Sequence, residues 1–227
     1  MDICPYNSKT DTCPHNNYKA EVISVTRKDA RQNRQIIMEA FHKATRVDQA
    51  HLPTMSDIVK ISGLGRGTVY RHFPDPGALA FSFISTGYEV LFARTRDNLK
   101  AANTRQQTRE ALEDHLYRYR AFNVDNLTLL TIPDVVTSEG CDLALTSQRQ
   151  SVRRAIRDMA GIGKTSPSLL ETAVDLISRT GDPLHLKYVG LKQQSPDPLA
   201  KPAVEFALSL ADQIADQLTL EKEASNA

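Results

Sequence analysis

Gly67, Thr68, Tyr70, Arg71 and His72 crowd into one short stretch, with Arg66 just ahead of them. Between them they carry two hydroxyls, an imidazole, two guanidiniums and a glycine against which another backbone can lie. These groups donate and accept hydrogen bonds; no base, nucleophile and orienting group stand at catalytic spacing among them. On a 3.6-residue wheel Val69 and Phe73 share one face, with Leu64 covering the turn below. Gly67, Thr68 and Arg71 point the opposite way, and Tyr70 and His72 flank them. One side packs and the other offers polar groups, a layout that suits a helix laid in the major groove of DNA. The wheel puts Arg66 nearer the packed face, so its reach to a base depends on its long side chain and its place at the helix start.

Two short helices must position this face. Thr54 is a good N-cap, and Asp57 lies three residues on, near the positive end of the helix dipole. Ile58 and Ile61, with Val59 beside them, predict a narrow apolar face for the first helix. Ser62-Gly63 stops it, because glycine takes positive φ at little cost. The second helix is expected from Gly65 or Arg66 to about Phe73, where Pro74 ends it.

The string TMSDIVKISGLGRGTVYRHF, residues 54–73, resembles the helix-turn-helix of the TetR family of bacterial transcription regulators. The similarity runs from about Arg31 to Ile84. It is carried by the T-x-x-D-I start, the Gly63-Leu64 turn, G-T-V-Y-R-H-F at 67–73 and a helix resuming after Pro74-Asp75. The resemblance implies an all-α protein with a three-helix DNA-binding unit at 27–74 and a larger helical effector-binding and dimerisation body at 75–227. It implies Thr54, Arg66, Gly67, Thr68, Tyr70, Arg71 and His72 as the DNA-binding set. Thr68 and Tyr70 would touch phosphates, with Arg66, Gly67, Arg71 and His72 near bases or backbone. Since arginine reads guanine through O6 and N7, Arg71 is the expected specific contact. Family members often carry a phosphate-contacting lysine one residue after the N-cap of the next helix. This chain has Pro76 there, which weakens that contact.

Of the 227 residues, 41% are hydrophobic and 24% charged, ordinary for a soluble globular protein. The net charge of +1 is unevenly spread. From Glu21 to Pro74 nine Lys/Arg face five Asp/Glu, a net of +4, leaving −3 for the rest. Such an asymmetry is expected when one module meets phosphate and the other does not. Three cysteines, widely spread, argue against a disulfide framework. The N-terminus lacks an apolar secretion signal, and no stretch is apolar enough to span a membrane, so a cytoplasmic location is expected.

Residues 1–26 read as a flexible arm. Its Cys4, Cys13 and His15 fall short of a four-ligand zinc site, so no metal or cofactor is expected. A helix from Arg27 to about Val47 should bury Ile36, Ile37, Ala40, Phe41 and Ala44. The cations at its start, Arg27, Lys28, Arg31 and Arg34, oppose the helix dipole and point to a phosphate partner for one or two of them.

A long helix is expected from Asp75 to Lys100, with Leu79, Phe83, Val90 and Ala93 on its face and Phe81, Leu91 and Phe92 widening it. Beyond it, further helices are predicted near 105–122, 124–139, 142–160, 166–180 and 198–222, with a short one near 184–191. The last carries Phe206, Leu210, Ile214 and Leu218 at steps of four beside Ala203, Ala207 and Ala211. This pattern fits a core face as well as a helix pairing across a twofold; the resemblance favours a homodimer through the C-terminal helices, bound to a palindromic operator.

Gly161-Ile-Gly163-Lys164-Thr165 looks like part of a phosphate-binding loop, but Asp158 stands where the first glycine is needed and no strand precedes it. No catalytic site is found. His115, Tyr119 and Phe122, at i, i+4 and i+7 with Tyr117 between, are candidates for an effector pocket and equally consistent with core. The expected function is a DNA-binding regulator, a repressor released by an unidentified small molecule. Two alternatives stay open: a regulator without such a ligand, constitutive or controlled by a protein partner, and a body acting as enzyme or carrier.

Overall fold

The computed structural model describes residues 14–47, 52–163, 167–192 and 196–226. All regular structure among them is helical: α1 Pro14–Val47, α2 Met55–Ser62, α3 Arg66–His72, α4 Pro76–Ala101, α5 Arg105–Asp125, α6 Leu127–Leu130, α7 Pro133–Val136, α8 Glu139–Ala160, α9 Ser168–Arg179, α10 Pro183–Tyr188 and α11 Ala200–Asn226. The all-α class follows.

α1 begins earlier than expected. The arm assigned to residues 1–26 is helical from Pro14 onward, while residues 1–13, with Cys4 and Cys13, lie outside the described residues. Proline suits the first turn of a helix, and neither glycine nor proline recurs before Pro53, so nothing local stops the helix where its apolar stripe begins. The stripe itself holds: Ile37, Ala40 and Phe41 are buried, flanked by half-buried Ile36 and Ala44.

Two hydrophobic clusters organise the molecule. One gathers Ile37, Phe41, Ile58, Val69, Phe73 and Leu79, tying α1, α2 and α3 to the start of α4, and extends to Tyr119 and Val135. The other joins Leu99 at the end of α4 to α5, α8, α9 and α11 through residues such as Leu112, Ile156, Ile177 and Ala211. Each large apolar side chain in these clusters contributes roughly 1.5–3 kcal/mol by leaving water. α4 belongs to both, so α3 and the body share one strut.

The buried face of α4 differs from the expected one. Leu79, Ala80, Ile84, Tyr88, Leu91, Phe92, Thr95 and Leu99 face inward, while Val90 is 65% exposed and Phe83 lies half outside, its ring against Phe41 and His42. A helix apolar on most sides does not disclose its inner face by periodicity, and α4 must serve α5, α7 and α8 at once.

The single helix expected over 124–139 is two one-turn helices, α6 and α7. Asn126 ends α5, its side-chain amide donating to Phe122 O at 2.8 Å. Ile132, ahead of Pro133, is extended at ψ 132, because the proline ring disfavours helical geometry in the residue before it. In α11, Ala207, Leu208, Ala211, Ile214, Ala215 and Leu218 are buried, but Phe206 is 60% exposed. Gly161 is the left-handed C-cap of α8, at φ 60; Lys164 and Thr165 lie outside the described residues.

Candidate nucleic-acid interface

α2 is fixed at its start by a capping box. The Asp57 amide donates to Thr54 Oγ1 at 3.2 Å, and the Thr54 amide donates to Asp57 Oδ2 at 3.0 Å. The Thr54 hydroxyl donates to the same carboxylate at 2.6 Å. These bonds hold the Asp57 carboxyl below its ordinary pKa. Thr54 is exposed, so its cap leaves it at the surface. The apolar face of α2 is Met55 and Ile58, both buried; Ile61, expected beside Ile58, is 43% exposed. Met55 precedes Ile58 by one helical turn, and α1 and α3 lie on that side. Gly63 then takes φ 68 and its amide donates to Val59 O, turning the chain into α3.

α3 is barely two turns long, and packing gives it its orientation. Val69 and Phe73 are buried and seat it; Arg66, Gly67, Tyr70 and Arg71 face outward. Gly67 is exposed, and a Cβ there would meet nothing within 4 Å, leaving its backbone open to approach. Arg71 is exposed and its Nη2 lies 3.5 Å from the Thr68 hydroxyl, with Thr68 and His72 half-buried on either side. Arg66 is exposed rather than packed: its guanidinium sits over the Tyr70 ring, 5.2 Å from the centroid. At the first helical position no preceding turn exists for it to pack on, so a cation–π contact takes that place. The structure thus brings Arg66, Gly67, Thr68, Tyr70, Arg71 and His72 together on one short helix, with Thr54 at the head of its partner.

Arg34 has a role the sequence did not disclose. Its guanidinium stacks over the Phe73 ring at 4.6 Å and donates to Ser82 Oγ at 2.5 Å, so it clasps α1 to the end of α3 and the first turns of α4. Its spacing in α1 marked it only as one of several cations; Ser82 lies 48 residues away. Arg31 is exposed, and the side chains of Arg27 and Lys28 are outside the described residues. Asp75 caps α4 through the Ala78 amide at 2.7 Å, with Pro76 at the first helical position.

In the body, His115 and Tyr119 are buried side by side, ring centroids 6.1 Å apart, and Phe122 lies half-buried against Tyr88 at 4.6 Å. The rings of Phe81, Tyr88 and Phe92 complete the group. Its polar partners come from other helices: His115 Nδ1 meets Thr95 Oγ1 at 2.8 Å, His115 Nε2 meets Gln148 at 2.6 Å, and Tyr88 donates to Asn123 Oδ1 at 2.6 Å. Burial pushes His115 down to about 4, so the ring is neutral and has one N–H to donate. The Thr95 hydroxyl already donates to Leu91 O, so it must accept from Nδ1. Nε2 then accepts, and the group that can donate to it is the Gln148 amide N–H. With its oxygen toward the ring, Gln148 leaves its own Nε2 without a partner; turning the amide over lets that N–H donate to His115 Nε2 and leaves the amide oxygen on the unpartnered side. Burial likewise raises the Tyr88 and Tyr119 phenols well above the ordinary value. A polar residue on an otherwise apolar stripe, such as Thr95 between Leu91 and Leu99, was the available signal for this network.

No protein-family model matches the chain. It is 31% identical over 104 residues to an HTH-type transcriptional regulator of Staphylococcus aureus (strain USA300), a match covering 46% of this chain and 55% of the relative. The corresponding regulator of the bovine strain of that species is 33% identical over the same length. The chain therefore spans little more than half the length of the curated relatives it matches. Among solved structures, the fatty acid degradation regulator FadR from Bacillus halodurans aligns with a TM-score of 0.55 and 17% identity, covering 78% of this chain and 94% of that one. The likeness is one of fold. A TetR family regulator, PfmR from Thermus thermophilus, aligns over 79% of this chain and 97% of that one with 17% identity and a TM-score of 0.39. The relatives in sequence and in fold are transcriptional regulators, and no described helix is long and apolar enough to cross a membrane.

Proposed function

We propose that this chain is a TetR-type, DNA-binding transcriptional regulator of the cytoplasm, acting as a homodimeric repressor on a palindromic operator. The observation that carries the reading is α3 itself. Val69 and Phe73 anchor it, and Arg66, Gly67, Tyr70 and Arg71 lie exposed on its outer side, with Thr68 and His72 at the edges. A short helix held by two buried side chains, with donors on its free face, is built to be placed in a groove. The 27–74 unit reads DNA in this proposal, and the 75–227 body dimerises and responds to an effector.

A helix-turn-helix reads half-sites, which requires a twofold pair. Phe206, Leu176 and Leu220 are large apolar side chains exposed on α9 and α11, the two body helices that pack together last in the chain. They supply the surface on which α11 would meet its mate.

Release by a small molecule is a shift between body arrangements, in proportion to the effector's preference for the one that misplaces the two α3 helices. The buried cluster of His115, Tyr119 and Phe122 has the composition of such a site, apolar with convergent polar groups. Its rings, however, pack against one another and against Gly87, where a Cβ would lie 2.3 Å from the Phe122 ring. That crowding favours the second reading at this cluster, a core with no ligand of its own.

The DNA-binding reading is tested by titrating fluorescent duplex with the full chain over a range of salt. Several phosphate contacts should give a steep fall of log K with log salt. A flat dependence, or no binding at low salt, would remove DNA reading from the account.

A further inference from the structure

An open groove of about 860 Å³ lies where the body meets the DNA-binding unit. Its walls come from Leu127, Thr131, Ile132 and Pro133 on the α6–α7 segment, from Lys187 and Leu191 on and after α10, and from Leu52, just ahead of α2. None of the residues of the His115 cluster lines it.

Its chemistry is amphipathic. Leu52, Leu127, Ile132, Pro133 and Leu191 give an apolar floor and sides. Lys187 is exposed, and its ammonium lies 3.4 Å from the Thr131 hydroxyl, a neutral partner, with no ion pair to it among the described residues. Lys192 and the carboxylate of Asp134 also line the groove, one charge of each sign. An apolar groove that carries an exposed ammonium beside a hydroxyl fits a molecule with an apolar body and one anionic head.

The walls are also mechanically connected to the reading helix. α7 sits directly on the first turn of α4: a Cβ on Gly77 would lie 2.1 Å from Asp134 O, so the two backbones touch with no slack. α4 follows α3 after only Phe73, Pro74 and Asp75. A molecule that pressed Ile132 and Pro133 apart from α10 would move the seat on which α4 begins, and Leu52 would feel the same displacement at the head of α2.

We propose that this groove is a binding site for an amphiphilic carboxylate, held by Lys187 and Thr131 at its head and by Leu127, Ile132 and Leu191 along its body. The site deepens the effector-responsive reading above, since it names where and what the effector would be. Its consequence at DNA rests on that reading, whereas binding itself does not.

The test is calorimetric titration of the full chain, without DNA, using decanoate, decanol and decyltrimethylammonium as probes. Decanoate should bind saturably, about tenfold more tightly than decanol, as expected for one charge-assisted hydrogen-bonded head. Lys187→Met keeps the apolar stem and should erase the preference for decanoate over decanol. Thr131→Phe, which fills the groove from a half-exposed position, should abolish binding of both. Absence of saturable decanoate binding would overturn the proposal. So would equal binding of decyltrimethylammonium, or decanoate affinity unchanged in both variants. Because no DNA is present, these outcomes are separate from failure of the DNA-reading proposal, which would appear as loss of salt-sensitive duplex binding with decanoate binding intact.

Discussion

In the proposed function, Arg71 and Tyr70 divide the work of α3 between reading and holding. Arg71 is exposed and, among the described residues, tethered only by the long contact to Thr68, so it can turn its guanidinium to a base. Arg71→Ala should cost about 1–3 kcal/mol on the preferred site and flatten the ranking of sites, measured by fluorescence anisotropy on a set of single-base variants. Tyr70→Phe should weaken all of them alike, as loss of a phosphate contact does; an equal loss on every site for Arg71→Ala would contradict its reading role. His115 makes a prediction of a different kind. Its unfolded pKa is near 6.5 and its folded value about 4, so between these the unfolded chain binds more protons. Stability therefore falls as the pH is lowered through that window, by about 3 kcal/mol in total. Denaturant titrations at about pH 7 and pH 5 should show about 2 kcal/mol of this loss in the natural chain and a smaller one in His115→Gln; equal pH dependence would show that the ring is not held neutral.

At the scale of the element, the helix starts and stops were legible where a side chain dictates them. Thr54, Gly63, Pro74 and Asp75 punctuate the chain by local chemistry, and the helices begin and end beside them. The inner faces were less legible. Met55 rather than Ile61 pairs with Ile58, and Tyr88 rather than Val90 points inward from α4, because long-range partners choose among apolar residues that look equivalent in one dimension. The Arg34 clasp and the Thr95–His115–Gln148 line were hidden for the same reason, each joining residues from separate helices. The junction between α4 and α7 supplies the element-scale prediction. Gly77→Ala would drive a Cβ into the Asp134 carbonyl, and backbone there cannot swing aside. It should destabilise the chain by about 1–3 kcal/mol in denaturant melts, the usual cost of overpacking. A neutral effect would mean that α7 yields, and the proposed coupling from groove to α4 would lose its rigid seat.

At the scale of the whole molecule, α4 runs through both hydrophobic clusters, so in the proposed regulator the body would govern the placement of α3 by moving as a pair of subunits or by shifting that strut. The proposal puts pairing on the exposed side of α11. Phe206→Glu puts a charge where an apolar side chain is 60% exposed in the single chain. It should leave the fold intact by circular dichroism and shift sedimentation from dimer to monomer; an unchanged dimer would place the twofold elsewhere. The central claim, a paired reader of two half-sites, is tested most directly by selecting binding sites from random duplex DNA with the full chain. The account predicts recovery of a palindrome whose half-sites lie about one helical turn or a multiple of it apart, with guanines where Arg71 reaches. Recovery of a single unrepeated site, or of no sequence above background, would contradict it.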